Sequence, residues 1–226
     1  MLESLLPAGV VVAEAFDDPS GLELYPQEAA LIANAVESRR REFTTVRHCA
    51  RRALAELGLP AGPVLPGPHG APRWPDQVVG SLTHCTGYRG AALALGSRIA
   101  LLGIDAEPAG PLPKGVLESI ALAGELRRVA DQLAVAPQLP WDRILFSAKE
   151  AVYKAWYPRT GQRLEFEDAD IRIDPQNGTF TADLLAPAPV SPAGPPLPRR
   201  LHGGWLVRDA LVLTAIAMPV LVPGPV

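Results

Sequence analysis

The stretch Ile99-Ala-Leu-Leu-Gly-Ile-Asp-Ala-Glu107 is an apolar run that closes on two carboxylates. A short apolar run of this kind is typical of a buried strand. Strand side chains alternate with a period of two, so Asp105 and Glu107 are expected to point to the same side. Acidic residues at a strand end also cap turns, and Pro108 favours a turn. Taken alone, the pair is therefore compatible with a structural role as well as a functional one.

A second stretch, Phe146-Ser-Ala-Lys-Glu-Ala-Val-Tyr-Lys154, is predicted to be helical. At 100° per residue, three aromatic side chains share the face of Glu150: Phe146, Tyr153 and Tyr157. A lone carboxylate on such a face costs on the order of several kcal/mol unless it is paired. Lys154, one turn further on, is a possible partner. An ordinary exposed Glu–Lys helix pair, worth about 0.3–0.5 kcal/mol, is the structural alternative.

Together the two stretches supply three carboxylates and a lysine. Mg²⁺ prefers oxygen ligands, keeps several waters, and usually joins one or two carboxylates to substrate phosphates. Asp105, Glu107 and Glu150 are therefore the candidate metal ligands. Lys154 is a candidate for binding a phosphate group as a point charge. The pattern predicts a hard cation that holds a phosphate-bearing ligand.

Composition narrows the possible functions of the chain. Its 226 residues fit one large domain or two small ones. A net charge of −3 gives no general attraction to nucleic acid or membranes, so neither partner is expected. The sequence contains no apolar run near the roughly 18 residues that span a bilayer, and no secretory signal is recognised. Only Cys49 and Cys85 occur, which favours free thiols and a cytoplasmic location.

Periodicity predicts an α+β fold. Helices are predicted at residues 27–57 with a break near Ser38, at 118–133, and at 141–157, where Pro158 and Gly161 end the last one. Strands are predicted at residues 78–95 as a hairpin around Gly87, and at 99–107, 171–173, 179–185, 205–208 and 210–217.

Two proline-rich stretches interrupt this order. Residues 60–75 and residues 186–200 hold six prolines each, a density that excludes helix and central strand. The first lies between two motif-bearing segments and is predicted to be an ordered substrate loop. The second is predicted to be an exposed loop between strands.

The paired motifs "GIDAE" and "FSAKEAVYKAWYP" resemble the double signature of the 4'-phosphopantetheinyl transferases. The resemblance is to the longer, monomeric class that acts on carrier proteins of polyketide and nonribosomal peptide synthesis. Further segments resemble that family in the right order: "RRREFTTVRHCARRAL", "GAPRWPDQVVGSLTHC" and "GGWLVRDALVLTAIA". The similarity extends over residues 24–217.

The resemblance implies two α+β halves related by a pseudo-twofold axis, with the active site between them. Residues 1–98 would form the half that binds coenzyme A. Residues 99–226 would form the half with the magnesium site and the catalytic helix. Because one chain contributes both halves, a monomer is expected.

The implied reaction transfers phosphopantetheine from coenzyme A to a serine of an acyl or peptidyl carrier protein and releases adenosine 3',5'-bisphosphate. Phosphoryl transfer depends mainly on positioning and charge neutralisation. Glu150 is the candidate base for the serine, directly or through a metal-bound water, and Lys154 and Asp105 are the other candidate catalytic residues. Mg²⁺ is expected on the diphosphate. The carrier protein is expected to be small and helical, with an acidic recognition face.

The resemblance also implies the residues that bind coenzyme A. These are Arg39, Arg40, Arg47, Gly67, His69, Thr83, His84, Lys149 and Lys154. The three arginines belong to a basic segment, residues 39–52, that could instead be a solvated face or a nucleic-acid patch. Arg51 and Arg52 are expected to be surface charges. A histidine such as His84 is also often a purely structural residue.

His69 departs from the family pattern. The loop that holds it, Pro66-Gly67-Pro68-His69, usually carries lysine or arginine in the resembled family. Histidine has an ordinary pKa near 6.5, so its charge is partial at neutral pH. Coenzyme A binding is therefore expected to be weaker or more sensitive to pH than in relatives with a fixed cation.

Two other functions fit parts of the pattern. A magnesium-dependent phosphoesterase or nuclease would also use acidic residues beside a basic helix. A non-catalytic module could bind an acidic partner through the arginine-rich helix. The second alternative predicts that the loss of Glu150 leaves function intact.

Overall fold

The structure is a computed structural model that describes residues 1–185 and 197–220. Within these residues eight strands and five α-helices form an α+β fold, as predicted. The helices are α1 (Pro26–Leu31), α2 (Glu37–Glu56), α3 (Val116–Ile120), α4 (Ala123–Val135) and α5 (Trp141–Thr160). The strands are β1 (Val10–Ala15), β2 (Val78–Cys85), β3 (Tyr88–Leu95), β4 (Ile99–Pro108), β5 (Ala169–Asp174), β6 (Thr179–Leu184), β7 (Arg200–Arg208) and β8 (Leu211–Pro219).

The strands form two antiparallel sheets, of order β1-β3-β2 and β4-β8-β7-β6-β5. Helix α2 covers the first sheet and buries Cys49, Ala50 and Leu54 against it. Helix α5 covers the second sheet, where Trp156 and its neighbours enter a large apolar core. Each helix thereby hides the apolar face of its sheet and leaves its polar side for other contacts.

Helix α5 lies unusually close to β4 because of a glycine. A Cβ atom on Gly103 would clash with the carbonyl oxygen of Ala151 and would lie 2.6 Å from the nitrogen of Ala155. Only a residue without a side chain allows this approach. The end of β4, with Asp105, is therefore held against the middle of α5, with Glu150.

The two sheets meet where the edge strands β2 and β4 lie side by side. Between these two strands, side-chain hydroxyls take the place of backbone carbonyls as hydrogen-bond acceptors. Ser81 Oγ accepts from the Ile104 amide at 3.1 Å, and Thr83 Oγ1 accepts from the Ala106 amide at 3.0 Å. An apolar core that contains Leu2, Tyr88, Ile104 and Leu213 joins the sheets on the other side. This seam places the residues of β2 next to the carboxylates of β4.

Most predicted elements are confirmed, and two helices need correction. The helix predicted at residues 118–133 is two helices, since the Glu125 carboxylate accepts from the Leu122 amide at 2.7 Å and caps a new helix start. Helix α5 continues past Pro158 to Thr160 and is followed by Gly161, whose φ of 65° is left-handed. Strand β1 and the short 3-10 helix Leu2–Leu5 were not predicted.

The first proline-rich stretch contains a 3-10 turn at Pro68–Gly70, closed by a bridge between Pro66 and Pro72. Residues 186–196 of the second stretch lie outside the described residues. The division into halves at residues 98 and 99 stays a prediction, although β4 begins at Ile99. Among the described residues, no helix combines the length and the hydropathy that crossing a membrane requires.

Candidate active site

A cleft of about 480 Å³, here the main cleft, opens between α2, the turn Pro68–Gly70, the strands β2 and β4, and helix α5. Nine of the predicted site residues line it: Arg39, Arg47, His69, Thr83, His84, Asp105, Glu107, Glu150 and Lys154. The aromatic face predicted for α5 also borders the cleft, through Phe146, Tyr153 and Tyr157. The side of the cleft formed by α2 and β2, here the basic end, carries Arg39 and Arg47, and the side formed by β4 and α5, here the acidic end, carries the three carboxylates.

Asp105 is the most constrained of the three carboxylates, with 3% of its surface exposed. Its Oδ1 accepts from Lys154 Nζ at 2.6 Å and from Thr83 Oγ1 at 3.3 Å. Its Oδ2 accepts from Ser147 Oγ at 2.8 Å, and Ser147 is itself bonded to Thr214. Both oxygens are therefore fixed by residues of β2, β8 and α5. Sequence reasoning missed Ser147, although it lies within the helical motif.

Glu107 points to the same side of β4 as Asp105, as strand alternation predicts, and forms an ion pair with Arg143. The Nη1 of Arg143 lies 2.9 Å from Glu107 Oε2, and its other donors bind the carbonyls of Gly110 and Pro111. Burial raises the pKa of Glu107, the charge of Asp105 adds to this shift, and Arg143 opposes it. Arg143 lies in the first turn of α5, ahead of the motif, and was not predicted.

Glu150 has no hydrogen-bond or ion-pair partner among the described residues. Burial raises its pKa, Lys154 opposes the shift, and the charges of Asp105 and Glu107 raise the pKa further. A carboxylate in this setting binds a proton or a cation more readily than an exposed one. The structural alternative, a pair of Glu150 with Lys154, is not formed, because Lys154 pairs with Asp105.

The donor chemistry around the acidic end fits a hard divalent cation. Three carboxylates border one cleft, and the pKa values of Glu107 and Glu150 are raised in part by the charge of Asp105. A bound cation would relieve this repulsion. Among the described residues, however, no group of three or more His, Cys, Asp or Glu side chains is close enough to hold a metal ion. In this conformation Lys154 and Arg143 neutralise two of the three carboxylates.

The basic end is built on α2 and β2. Arg39 Nη1 lies 2.6 Å from His84 Nε2 and 3.6 Å from a carboxylate oxygen of Glu42. Since an arginine can only donate, His84 Nε2 must accept, which requires a neutral imidazole. Burial lowers the pKa of His84, and Arg39 is the largest charge that lowers it further.

Arg47 lies deeper in the main cleft than Arg39. Its Nε donates to the Val64 carbonyl at 2.9 Å, and its guanidinium carbon lies 3.9 Å from the centre of the Phe43 ring. Burial lowers the pKa of Arg47 to about 10, so the side chain stays cationic at neutral pH. Its remaining nitrogens are available for an anion in the cleft, which suits a phosphate.

His69 and Gly70 of the turn Pro68–Gly70 line the cleft, and His69 brings the side chain. Its φ of 53° is left-handed, which is uncommon for a residue other than glycine. Its ring meets the ring of Tyr157 edge-on, with centroids 5.3 Å apart. The turn therefore reaches across the cleft and touches α5.

Three of the predicted coenzyme residues are not brought to the main cleft. Arg40 bends back and donates to the carbonyls of Ala33 and Ala35. Gly67 does not line the cleft, and its amide donates to the Ala71 carbonyl at 2.6 Å. Lys149 points away from the cleft, where its ammonium binds a carboxylate oxygen of Glu125 and the carbonyls of Phe166 and Ala169.

Arg51 also differs from its prediction as a surface charge. Its Nη1 lies 2.9 Å from an oxygen of Glu28, a carboxylate that is fully buried below α2. The second oxygen of Glu28 accepts from the Val64 amide at 2.8 Å, next to the carbonyl that Arg47 binds. Arg51 therefore supports the wall of the cleft from behind. A buried Glu28 could not be foreseen, because its partner lies 23 residues further along.

A second cavity of about 270 Å³, here the side cavity, adjoins the main cleft. Glu150 and Tyr153 line both, so α5 forms the wall between them. The side cavity is otherwise bordered by Lys149, Arg163, Leu164, Glu165, Phe166 and Ala169. An elongated ligand could therefore pass Glu150 and occupy both spaces.

Two family models match the chain in succession. The model of the 4'-phosphopantetheinyl transferase N-terminal domain matches residues 27–94, and the model of the 4'-phosphopantetheinyl transferase superfamily matches residues 101–193. The matched regions contain every residue that lines the main cleft.

Three relatives are similar over 96% of this chain. The 4'-phosphopantetheinyl transferase Svp of Streptomyces mobaraensis is 54% identical over 225 residues, with 89% of its own length covered. The 4'-phosphopantetheinyl transferase Npt of Nocardia iowensis is 49% identical with 99% covered. The 4'-phosphopantetheinyl transferase PptT of Mycobacterium tuberculosis is 48% identical with 98% covered.

Proposed function

The chain belongs to the 4'-phosphopantetheinyl transferase family and is a transferase that acts on carrier proteins, and we propose how its cleft carries out the transfer. The donor is coenzyme A, the substrate of the family. The acceptor is proposed to be a serine of acyl and peptidyl carrier proteins of polyketide and nonribosomal peptide synthesis. The relatives favour this activity over a phosphoesterase, a nuclease or a non-catalytic module.

The observation that carries the proposal is the division of charge along the main cleft. Arg39 and Arg47 line the cleft from α2, and three carboxylates with Lys154 line it from β4 and α5. Coenzyme A has a phosphate on its ribose and a diphosphate further along. The arginines suit the ribose phosphate as bidentate donors, and the acidic end suits a metal-bound diphosphate.

We propose Mg²⁺ at the acidic end, with Asp105, Glu107 and Glu150 as its protein ligands. When bound, the ion would neutralise negative charge on the diphosphate oxygens. Support comes from the carboxylate donors and from the raised pKa values of Glu107 and Glu150. Lys154 pairs with Asp105 beside this site, so its ammonium would stand close enough to contact the diphosphate as well.

Glu150 is proposed to accept the proton of the carrier serine, directly or through a water. The serine oxygen then bonds to the phosphorus next to pantetheine, and the bond from that phosphorus to the bridging oxygen of the leaving group breaks. Adenosine 3',5'-bisphosphate leaves with the negative charge, which Lys154 stabilises. The raised pKa and the absence of a bonded cation among the described residues suit Glu150 to receive a proton.

The position of α5 between two cavities suggests where the rest of the substrate lies. With the nucleotide in the main cleft, the pantetheine arm would pass Glu150 and Tyr153 toward the side cavity. The described chain borders the whole cleft by itself, which supports catalysis by a monomer. A cytoplasmic location is part of the same proposal.

The test is the intact mass of apo acyl and peptidyl carrier proteins after incubation with this protein, coenzyme A and Mg²⁺. A gain of one phosphopantetheinyl group that is lost with a chelator supports the donor, the acceptor and the metal. Glu150→Gln should abolish the gain while leaving the circular dichroism spectrum unchanged. If several carrier proteins gain no mass with the wild-type protein, the proposed acceptor is wrong.

A further inference from the structure

A buried ion pair lies behind the main cleft, on the far side of α5. Lys149 Nζ is 2.9 Å from Glu125 Oε2, and the two side chains are 1% and 0% exposed. Burial lowers the pKa of Lys149, and the hydrogen bond and charge of Glu125 offset part of that shift. No part of this pair borders the main cleft.

Each member of the pair also binds backbone groups. Glu125 accepts from the amide of Leu122 at 2.7 Å and from the amide of Ile171 at 2.7 Å. Lys149 donates to the carbonyl of Phe166 at 2.6 Å and to the carbonyl of Ala169 at 2.7 Å. One ion pair thereby joins the start of α4, the strand β5, the helix α5 and the 3-10 turn that precedes β5.

The joined segments include α5, which forms the wall between the two cavities, and residues that line the side cavity. Lys149 directly precedes Glu150, the residue that lines both. Phe166, whose carbonyl Lys149 binds, lines the side cavity, and its ring lies 6.1 Å from the ring of Phe146 in the main cleft. A shift of the pair would therefore move Glu150 and the side-cavity wall together.

Stability alone is a weak reason for such a pair. Taking two charges out of water is costly, and apolar residues of similar volume often stabilise a fold as well or better. A fixed geometry, in contrast, matters where a reacting group must be held within about 0.5 Å.

We propose that Glu125 is a positioning residue of the transfer reaction, because its ion pair with Lys149 holds Glu150 and the wall of the side cavity in place. The inference rests on the proposed function. It gives Lys149 a structural role behind the main cleft, since all three donors of its ammonium bind protein atoms. Direct contact of this ammonium with coenzyme A would require breaking that network.

Two variants test the proposal. Glu125→Asp keeps the charge and leaves Lys149 intact, but shortens the carboxylate arm by one methylene. The double variant Glu125→Gln with Lys149→Met removes both charges at once, so that no unpaired charge stays buried. Arg128→Met is the matched control, because Arg128 binds Asp170 and the Ile171 carbonyl and joins α4 to β5, and among the described residues it makes no hydrogen bond or ion pair with α5.

The kcat and KM of each variant are measured in the carrier-protein assay, after the wild-type protein has been shown to be active in it. The Kd of adenosine 3',5'-bisphosphate and the midpoint of thermal unfolding are measured as well. Both test variants should lose kcat by about 10-fold to 100-fold, since a displacement near 1 Å can cost on the order of 10²-fold. The Kd of the bisphosphate should stay within about twofold, because this ligand occupies the main cleft alone. Arg128→Met should keep the wild-type kcat.

The proposal is overturned if both variants fold and keep kcat within about twofold of the wild type. A raised KM for coenzyme A with unchanged kcat in the double variant would also overturn it, by assigning Lys149 to direct ligand contact. If the double variant does not fold, Glu125→Asp decides by the same criteria. If the wild-type protein transfers no phosphopantetheinyl group, the proposed function is contradicted instead. The activity of the wild-type protein is therefore measured first.

Discussion

Lys149 and Lys154 stand five residues apart on one helix, and each forms an ion pair with a carboxylate. The pair of Lys154 with Asp105 opens onto the main cleft, and the lysine side chain is 27% exposed. The pair of Lys149 with Glu125 is sealed, and the lysine side chain is 1% exposed. Two lysines of one motif therefore have different partners, and burial decides which of them a ligand can reach.

The largest expected effect concerns the stability of the sealed pair. Lys149→Met leaves the Glu125 carboxylate buried without its cation, and breaking a buried pair in this way costs about 3–5 kcal/mol. The free energy of unfolding, measured with urea, should fall by that amount. Adding Glu125→Gln removes the stranded charge and should restore part of the loss, because the backbone groups that the pair satisfied still lack partners.

The contrast would fail if Lys154→Met destabilised the protein as much as Lys149→Met does. The Lys154 side chain keeps access to water, and Asp105 stays hydrogen-bonded to Thr83 and Ser147, so the loss of Lys154 should cost less than the loss of Lys149. Equal losses of stability would show that both pairs serve the fold alike.

The next effect concerns catalysis at the open pair. Lys154→Met should lower kcat by about 10²- to 10³-fold, the loss expected when one preorganised group that stabilises transition-state charge is removed. Steady-state kinetics with coenzyme A and an apo carrier protein measures this. Unchanged kcat with a raised KM for coenzyme A would mean that Lys154 binds the substrate without stabilising the transition state.

These two lysines also show how far the sequence could predict the site. Strand alternation was enough to place Asp105 beside Glu107, and helical periodicity was enough to place Glu150 among aromatic side chains. The carboxylate that meets each lysine depends on the packing of distant segments. Glu125 belongs to another helix, so the burial of Lys149 could not be predicted from the motif.

The same limit applies elsewhere in the fold. Arg40 and Arg47 lie within about 20° of each other on a helix, yet Arg40 binds carbonyls of the preceding loop and Arg47 enters the cleft. Strand β1 was missed because it is short and mostly half-buried, so its periodicity is weak. The hairpin around Gly87 was predicted correctly, because its turn signal is local.

A smaller effect extends the comparison to histidine. Burial and then Arg39 lower the pKa of His84, which faces the main cleft, so the free imidazole is neutral at pH 7. A phosphate bound beside it favours the charged form and raises its pKa. Binding then takes up a proton, so the affinity for adenosine 3',5'-bisphosphate should rise as pH falls from the bound pKa to the free pKa.

The measurement is the histidine ring signals by NMR, with and without the bisphosphate, in wild type and in His84→Gln. The pKa of His84 should increase on binding, and the pH dependence of Kd should weaken in the variant. A pKa that does not respond to ligand would place His84 in the frame of the protein, as a counterpart of Lys149.

The smallest expected effect concerns His69, where the resembled family usually has a fixed cation. The His69 ring contacts the Tyr157 ring across the main cleft, so this side chain, like that of Lys154, lies where a ligand can reach it. His69→Lys should lower the KM for coenzyme A a few-fold, because lysine places a fixed cation in the cleft where phosphate groups are proposed to bind. His69→Gln is the neutral control, and its KM should not fall. An unchanged KM in His69→Lys at all pH values would mean that this turn contributes through its backbone amides. Side-chain charge would then matter only for residues that stand on the helices and strands of the cleft.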